Sequence, residues 1–475
     1  MINKDVHIFT KGQYSCLYNS ITMDLIYLKN NWLSGNKPSE EICKQLPKEF
    51  TTNNDYYKEA LKKIQSYLKP NIKTLFMIIN EQCNLACEYC RYINKLPKNF
   101  VGQVMDETVG KGLINKFLTS EIDNESKTIV LFGTEVLQNS DLVEELAKYI
   151  REIDLKNQLS PTDITIFTNG TLINDRVVRF IKQYDITPII SIDGWEEIHD
   201  KARVNKAGKG TYKKIRKNCE LLKNEGIKFG ISTAVGEHNV DYLPEIIDFF
   251  IEEFDPLNVG LNPLEINDKY SKEIFFNKYI EQGLKAFEVA RQKGISLPQV
   301  MRRIRPFVEQ KHRLKECPTC GGALRVYPNG RIGTCSHFVA VNEYCIDYKT
   351  YINEDINSKD IFNQWSHRTQ FSFNQCSNCE AISLCGGGCV YNAFLQNDEI
   401  MAPDYRICFH SKYALEWCIW KLFEYTRGAN ILEKQTYFKP DKKMRKLIYG
   451  NIDEDNLKLP LQKYNTFGEH LIFSY

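Results

Sequence analysis

Residues 74–90 read TLFMIINEQCNLACEYC, an apolar run followed at once by three cysteines. A short apolar run of this kind is typical of a strand that is buried on both faces. Cys83, Cys87 and Cys90 then follow in C-x3-C-x2-C spacing, where the strand ends. Three thiolates this close together can hold three irons of a cubane cluster and leave the fourth iron free to bind a small molecule. A structural zinc ion needs four ligands, and this stretch contains no further Cys or His.

Five more apolar runs follow, separated by amphipathic segments such as residues 142–150. The runs lie at residues 129–132, 164–167, 187–192, 229–232 and 257–261. Apolar strands joined by helices predict parallel βαβ units. Six such units predict an α/β fold with a partial (β/α)6 TIM-like barrel, in which the chemistry lies at the C-terminal ends of the strands.

The composition excludes several classes of protein. Among 475 residues, 62 Lys and Arg balance 60 Asp and Glu, so neither a basic nucleic-acid surface nor an acidic tail is predicted. An uncharged apolar run of about 18 residues, as a membrane span requires, does not occur, and the first residues do not resemble a secretory signal. We therefore expect a cytoplasmic protein, without nucleic-acid or membrane partners, whose thiols stay reduced.

The 16 cysteines therefore need an explanation other than disulfide bonds. Five are isolated in the sequence, and we interpret them as small core residues: Cys16, Cys43, Cys219, Cys345 and Cys418. The eight that follow the barrel have the spacing of two four-ligand sets: Cys317, Cys320, Cys335, Cys376, Cys379, Cys385, Cys389 and Cys408. Thiolate ligands alone do not distinguish zinc knuckles from iron–sulfur clusters.

The pattern divides the chain into four parts. Residues 1–70 form a small α+β module, either a peptide-binding unit or a cap on the next domain. Residues 71–290 form the partial barrel, and residues 291–420 form a cysteine-rich domain that metal would hold together. Residues 421–475 form a C-terminal tail without a recognisable motif.

The C-x3-C-x2-C loop, with the aromatic Tyr89 before its third cysteine, resembles the radical S-adenosylmethionine (SAM) superfamily. The resemblance implies a 4Fe–4S cluster on Cys83, Cys87 and Cys90 that donates one electron to bound SAM. The products are methionine and a 5′-deoxyadenosyl radical, which abstracts a hydrogen atom from the substrate. The protein supplies placement and shielding, while the cofactors supply the chemistry.

Residues after the next three strands match other family positions. They are Gly133 and Glu135, then Asn169, then Ser191, Asp193 and Arg203. The family usually has Gly-Gly-Glu in the first of these places, and Thr134 here replaces the second glycine. The resemblance implies that these residues and Tyr89 bind the cofactor. Glu135 would accept from the SAM ammonium group, Ser191 would contact the ribose or carboxylate, and Arg203 the carboxylate.

The spacing of the later cysteines resembles the SPASM domain, which carries two auxiliary 4Fe–4S clusters. The resemblance assigns Cys317, Cys320, Cys335 and Cys389 to auxiliary cluster I. It assigns Cys376, Cys379, Cys385 and Cys408 to auxiliary cluster II. The chain would then hold three clusters in all.

Two classes of SPASM enzyme fit this sequence. One installs thioether or carbon–carbon crosslinks in ribosomally made precursor peptides, and the extra N-terminal module favours it. The other, the anaerobic sulfatase-maturating enzymes, forms formylglycine and has an aspartate base after the cysteine that corresponds to Cys335. Here Ser336 and His337 follow instead, so we expect a peptide maturase with a precursor peptide and a flavodoxin or ferredoxin as partners.

Other interpretations remain. The C-terminal cysteines could bind zinc in a binding module without radical chemistry, or the substrate could be a small molecule. His337, His199 and Trp195 could act as acids, bases or site contacts, but each is also explained by packing or support beside the site.

Overall fold

The computed structural model describes residues 2–35, 37–52, 54–65, 67–90, 101–120, 127–264, 273–338, 344–356, 359–427, 436–438 and 442–453. The N-terminal unit starts with an antiparallel sheet. Its elements are β1 (Val6–Lys11), β2 (Tyr14–Asn19), β3 (Leu25–Lys29), the short pair β4 (Leu33–Ser34) and β5 (Lys37–Pro38), α1 (Glu40–Cys43), α2 (Lys48–Thr51) and α3 (Tyr56–Gln65). Helix α1 begins where Ser39 accepts from the backbone N–H of Ile42, as expected for an N-cap serine.

Both faces of this N-terminal sheet are covered. On one face, Leu17 and Ile26 pack against Phe50 of α2. On the other, Tyr18 and Tyr27 belong to the main core of the molecule. The unit is therefore packed against the rest of the chain rather than joined to it by a loose linker.

The centre of the molecule is a layer of six parallel strands in sequence order. They are β6 (Thr74–Ile78), β7 (Thr128–Phe132), β8 (Asp163–Thr168), β9 (Ile186–Ser191), β10 (Gly230–Val235) and β11 (Val259–Pro263). All five residues of β6 are buried, as its apolar sequence predicts. Each of the six strands begins within two residues of its predicted start.

Helices connect and cover these strands. They are α4 (Glu107–Thr119), α5 (Ser140–Lys156), α6 (Asp175–Gln183), α7 (Glu196–Ala202), α8 (Tyr212–Asn224), α9 (Leu243–Phe254), α10 (Glu273–Gln292) and α11 (Pro298–Glu309). In the described sheet β6 pairs with a later strand instead of with β11, so the barrel is open. The predicted partial (β/α)6 arrangement is confirmed.

The cysteine-rich region continues the same sheet. Strand β12 (Ala323–Val326) runs parallel to β6, with Leu324 opposite Leu75, and β13 (Ile332–Gly333) and β14 (Cys345–Ile346) extend the edge. The remaining elements are α12 (Tyr348–Asn353), α13 (Asp360–Ser366), α14 (Ile382–Cys385), α15 (Val390–Asn397), α16 (Tyr405–Arg427), β15 (Thr436–Phe438) and α17 (Lys442–Tyr449). The sequence did not predict β12, because four residues carry too little periodicity.

The C-terminal tail returns to the start of the chain. Strand β15 pairs antiparallel with β3, with Thr436 opposite Tyr27, and completes a four-stranded sheet in the order β1-β2-β3-β15. The tail was predicted to have no recognisable motif, and residues 454–475 of it lie outside the described residues.

The isolated cysteines divide into two groups. Cys16, Cys219 and Cys418 are buried in the core, as predicted. The prediction was wrong for Cys43 and Cys345, which are only partly buried because they lie on a short helix and a short edge strand.

Within the described ranges, no helix has both the length and the apolar character that crossing a bilayer requires.

Candidate active site

The cysteine loop lies at the C-terminal edge of the sheet and is held against the segment after α7. The backbone N–H of Ala86 donates to Val204 O at 2.8 Å, and that of Glu88 donates to Ala202 O at 2.9 Å. At the other side of the loop, Asn169 Nδ2 donates to Asn84 Oδ1 at 3.0 Å. Contacts from the third and fourth βα units therefore fix a loop that follows the first strand.

The three thiols of this loop lie close together. Burial raises the pKa of Cys87 to about 11, Arg203 opposes the rise, and Cys83 and Cys90 add to it. Burial also raises the pKa of Cys83, with a further contribution from Cys90. Neutral thiols are thus favoured in the absence of a cation, and positively charged iron would stabilise the thiolates. The three side chains fit the three-ligand site that the spacing predicts.

Asp193 is the centre of a buried hydrogen-bond network beneath this loop. Its Oδ2 accepts from the Tyr89 hydroxyl at 2.6 Å and from Arg203 Nε at 2.9 Å, while its Oδ1 accepts from the Ala234 N–H at 2.9 Å. Burial would raise the pKa of Asp193, but Arg203, together with His238, whose Nε2 lies 3.6 Å from Oδ2, lowers it below the ordinary value. The carboxylate is therefore charged and fully engaged by protein groups.

The Tyr89 ring is in contact with the guanidinium of Arg203 and the ring of His238. The Arg203 guanidinium lies 5.4 Å from the Tyr89 ring centroid, and the His238 ring stacks on the same phenol at 5.8 Å. Because Tyr89 directly precedes Cys90, this arrangement fixes the third cysteine. Asp193 therefore holds Tyr89 and Arg203 in place, and its contact with the cofactor stays a prediction. His238 was not predicted from the sequence, although its place just after β10 was an available signal.

His199 belongs to the same hydrogen-bond network and contacts the backbone of Asp193. Its Nδ1 accepts from the Asp193 backbone N–H at 3.3 Å, and its Nε2 lies 3.1 Å from Thr211 Oγ1. Thr211 Oγ1 in turn donates to Arg203 O at 2.8 Å. This chain of bonds fits a neutral imidazole, since a proton on Nδ1 would face another donor. Burial lowers the pKa of His199 to about 3.

We expect His199 to make the protein less stable in acid. Its pKa is lowered from 6.5 in the folded state, so the unfolded state takes up a proton first. The stabilisation is therefore complete above about pH 6.5 and is lost as the pH falls towards the folded value. Between about pH 6.5 and 5.5, the free energy of unfolding of the wild type should fall by about 1 kcal/mol more than that of His199→Gln. Denaturant unfolding at both pH values measures this, and equal losses would contradict it.

Glu135 lies at the start of the turn after β7. Its Oε1 accepts from Thr168 Oγ1 at 2.7 Å and from the Leu137 N–H at 3.0 Å, and its Oε2 accepts from the Asn169 N–H at 2.6 Å. Burial raises the pKa of Glu135, and these three donors oppose the rise. The carboxylate is thus held by β8 and by its own turn, beside the Cys83 thiol, whose pKa it also raises.

The turn between β7 and Glu135 depends on a close backbone approach. A Cβ on Gly133 would lie 2.4 Å from Asn80 O, so this position requires glycine. Thr134, which replaces the usual second glycine, has no positive φ. Its N–H and hydroxyl both donate to Asn80 O, at 3.1 and 3.3 Å. The threonine is therefore compatible with the turn that presents Glu135.

The remaining predicted residues differ in their surroundings. Ser191 is the last residue of β9 and is half-buried at the C-terminal edge of the sheet. Asn169 Nδ2 lies 3.9 Å from Cys83 Sγ. Trp195 instead packs edge-on against Tyr242 and Phe249, which indicates a packing role.

Among the eight later cysteines, the thiols that shift one another's pKa are members of the same predicted set. Burial raises the pKa of Cys389 to about 11 and raises that of Cys335, and Cys317 adds to both. Burial raises the pKa of Cys376 to about 12, with contributions from Cys385 and Cys379. The pKa of Cys408 is raised first by a hydrogen bond with Cys385 and then by burial, Cys376 and Cys379. Neighbouring thiols thus belong to the same predicted four-cysteine set.

Three glycines connect the two sets between Cys385 and Cys389. Their φ angles of +76°, +80° and +78° lie in the left-handed region that favours glycine. A Cβ on Gly388 would lie 2.4 Å from Asp404 Cβ.

His337 lies beside Cys335, with Nδ1 3.9 Å from Cys335 Sγ and its ring 4.6 Å from the Tyr391 ring. It thus contacts a cysteine of the later group.

Comparison with known proteins identifies the central domain. Residues 77–250 match the family model described as the radical SAM superfamily. The chain contains a radical SAM domain. The radical SAM match lies within the segment that carries the six parallel strands, and it implies SAM and one 4Fe–4S cluster as cofactors.

Relatives of this chain include a sulfatase-maturating enzyme and a radical SAM cyclopropyl synthase. A serine-type anaerobic sulfatase-maturating enzyme of Bacteroides thetaiotaomicron is 26% identical over 374 residues, which cover 68% of this chain and 84% of the relative. The radical SAM cyclopropyl synthase TigE of Paramaledivibacter caminithermalis is 22% identical over 379 residues, which cover 76% of each chain.

Two solved structures show the same fold. Native anSMEcpe with bound AdoMet has a TM-score of 0.63 at 19% identity, covering 75% of this chain and 100% of its own. Streptococcus suis SuiB bound to precursor peptide SuiA has a TM-score of 0.53 at 14% identity, covering 86% of this chain and 100% of its own. The chain thus shares its fold with both of these proteins.

Proposed function

We propose that this radical SAM enzyme installs a thioether or carbon–carbon crosslink in a ribosomally made precursor peptide. The observation that carries the proposal is the N-terminal unit, a four-stranded sheet packed on the main core. The SuiB structure, whose title names a precursor peptide, covers 86% of this chain, compared with 75% for native anSMEcpe. The relative TigE is also named for a bond-forming reaction.

The residues of the site have separate parts in this proposal. SAM and its 4Fe–4S cluster, when bound, supply the 5′-deoxyadenosyl radical. Cys83, Cys87 and Cys90 would hold the cluster, and Asp193 keeps Tyr89 in place beside them. Glu135, Ser191 and Arg203 would bind SAM. A crosslink removes two hydrogen atoms from the peptide, of which one leaves in 5′-deoxyadenosine and the other as a proton and an electron, and an auxiliary 4Fe–4S cluster would accept that electron.

We further propose that the two four-cysteine sets hold 4Fe–4S clusters rather than zinc. Among the described residues, no three His, Cys, Asp or Glu side chains converge closely enough to share one metal ion. A zinc ion needs its sulfurs about 2.3 Å from a single centre, whereas a cubane cluster spreads its four thiolates over four irons. A flavodoxin or ferredoxin of the cytoplasm would be the electron donor.

Formylglycine formation is the second candidate, and the 26% identity to a sulfatase-maturating enzyme favours it. Against it, Ser336 and His337 stand where the sulfatase maturases have an aspartate base. His337 lies beside Cys335 and Tyr391.

Mass spectrometry of a co-expressed peptide separates the two functions. The chain is expressed anaerobically with each short open reading frame that adjoins its gene, and a variant with Cys83, Cys87 and Cys90 replaced by alanine is the control. A crosslink removes two hydrogen atoms and gives a product that resists fragmentation between the joined residues. Formylglycine instead reacts with a hydrazide probe. An unmodified peptide in every pairing would contradict the proposed function.

Among the described residues, β1 is an outer strand of the N-terminal sheet, and a leader peptide would add as a strand along its outer edge. Lys11 and Tyr14 face each other across a two-residue turn, and in such a hairpin this pair exchanges the hydrogen bonds. The N–H of the exposed Thr10 therefore points away from β2. We expect Thr10→Pro to weaken leader binding roughly tenfold, because one strand hydrogen bond is lost and the ring obstructs pairing.

Thr10→Ala is the matched control for this prediction. It also loses the contact between Thr10 Oγ1 and Ser15 Oγ at 2.9 Å, but it keeps the N–H. Fluorescence anisotropy with the labelled leader measures both variants. If Thr10→Pro binds the leader as tightly as Thr10→Ala, strand addition at β1 is wrong.

A further inference from the structure

Arg368 is a fully buried cation that holds the loops around the later cysteines. Its Nε donates to Ile400 O at 2.7 Å, and its Nη1 donates to Gly388 O at 2.8 Å. Its Nη2 donates to Gly387 O at 3.0 Å and to Ala402 O at 2.7 Å. The side chain has no exposed surface, so its charge is removed from water.

The charge of Arg368 has no carboxylate partner in the described part of the chain. The hydrogen-bond acceptors found for it there are the four backbone carbonyls. Other buried arginines of the same domain differ, since Arg303 and Arg313 both pair with Glu316. Burying a charge without a counter-charge costs several kcal/mol. A negative group that belongs beside Arg368 would remove this cost.

Arg368 also lies where the two four-cysteine sets meet in the chain. Its guanidinium donates to Gly387 O and Gly388 O, and these two glycines separate Cys385 of one set from Cys389 of the other. The guanidinium thus lies at the junction of the two sets.

We propose that Arg368 is the counter-ion shared by two auxiliary 4Fe–4S clusters and that it makes both easier to reduce. The inference rests on the proposed function, which places one cluster on each cysteine set. Four thiolates give each cluster a net negative charge, and reduction adds one more. A fixed cation in a low-dielectric interior stabilises the reduced state more than the oxidised state.

The test measures the auxiliary clusters without the SAM-binding cluster. In a background with Cys83, Cys87 and Cys90 changed to alanine, iron analysis should find about eight irons per chain. Dithionite titration followed by electron paramagnetic resonance then gives the midpoint potentials. In Arg368→Gln we expect both potentials to become more negative, with about a tenfold smaller equilibrium constant for reduction, which is about 59 mV for one electron. Arg368→Lys keeps the charge and should stay close to the parent.

Arg151→Gln is the matched control. Arg151 is also largely buried and donates to the carbonyls of Thr162, Tyr184 and Asp185, far from the cysteines in sequence. Its loss should lower stability without changing the potentials. If Arg368→Gln loses its iron while Arg368→Lys keeps it, a requirement for the charge is supported.

Three outcomes distinguish a failure of the counter-ion role of Arg368 from a failure of the proposed auxiliary clusters. Unchanged potentials in an iron-loaded Arg368→Gln would overturn the counter-ion role and leave the clusters intact. Loss of iron from both Arg368→Gln and Arg368→Lys would show that Arg368 only holds the loops, which also overturns it. An iron-free parent with bound zinc would instead contradict the two auxiliary clusters themselves.

Discussion

Cys87→Ala is expected to reduce SAM cleavage to the background level. Cys87 is the most buried of the three loop thiols, and its loss leaves two thiolates for a cluster that needs three. Protein reconstituted anaerobically is given dithionite and SAM, and 5′-deoxyadenosine is measured by liquid chromatography. Iron content should fall from about twelve per chain to about eight.

Cys43→Ala is the control for this experiment. Cys43 is a half-buried thiol of the N-terminal unit that lies outside all three cysteine groups. It should keep wild-type iron and wild-type cleavage. If Cys87→Ala still released 5′-deoxyadenosine at the wild-type rate, the three-thiol site would not be the site of SAM cleavage.

Asp193→Asn is expected to have the second largest effect. The substitution leaves the Arg203 guanidinium buried without its 2.9 Å ion pair and weakens the 2.6 Å bond to Tyr89. Removing one partner of a buried pair costs about 3–5 kcal/mol. The loop that carries Cys90 should then lose its fixed position. We expect lower iron content and at least a tenfold drop in 5′-deoxyadenosine per iron, of the size seen when groups that orient metal ligands are removed.

Asp154→Asn tests whether that loss is specific. Asp154 is also buried, pairs with Arg151 at 3.0 Å and accepts from Thr162, but it lies before β8, at the opposite end of the strand from the site. It should lose comparable stability, measured by denaturant unfolding, while cleavage per iron stays at the wild-type level. If both variants lost SAM cleavage equally, Asp193 would contribute only to the stability of the fold and not to the position of the cysteine loop.

The parallel strands and the cysteine loop were predictable because their signals are local. A buried strand such as β6 is a continuous apolar run, and a metal loop is a fixed spacing of one residue type. The positions of Glu135, Asn169 and Ser191 after successive strands followed from the rule that C-terminal strand ends meet at one edge.

Other parts of the site depend on contacts between distant segments. That Asp193 holds Tyr89 follows from the pairing of the cysteine loop with residues 202–205, which the sequence does not reveal. His238 was missed for the same reason. Arg368 has no local pattern at all, because its acceptors are backbone carbonyls, which every sequence contains.

The pairing of β15 with β3 has a consequence for the order of folding. Tyr27 donates to Ile419 O, a residue 392 positions further along the chain, and β15 follows later still. While the protein is being synthesised, the outer side of β3 therefore remains an open edge until almost the whole polypeptide has left the ribosome. Such an edge invites pairing with other chains, so we expect truncation before residue 436 to yield aggregates even though every cysteine is retained.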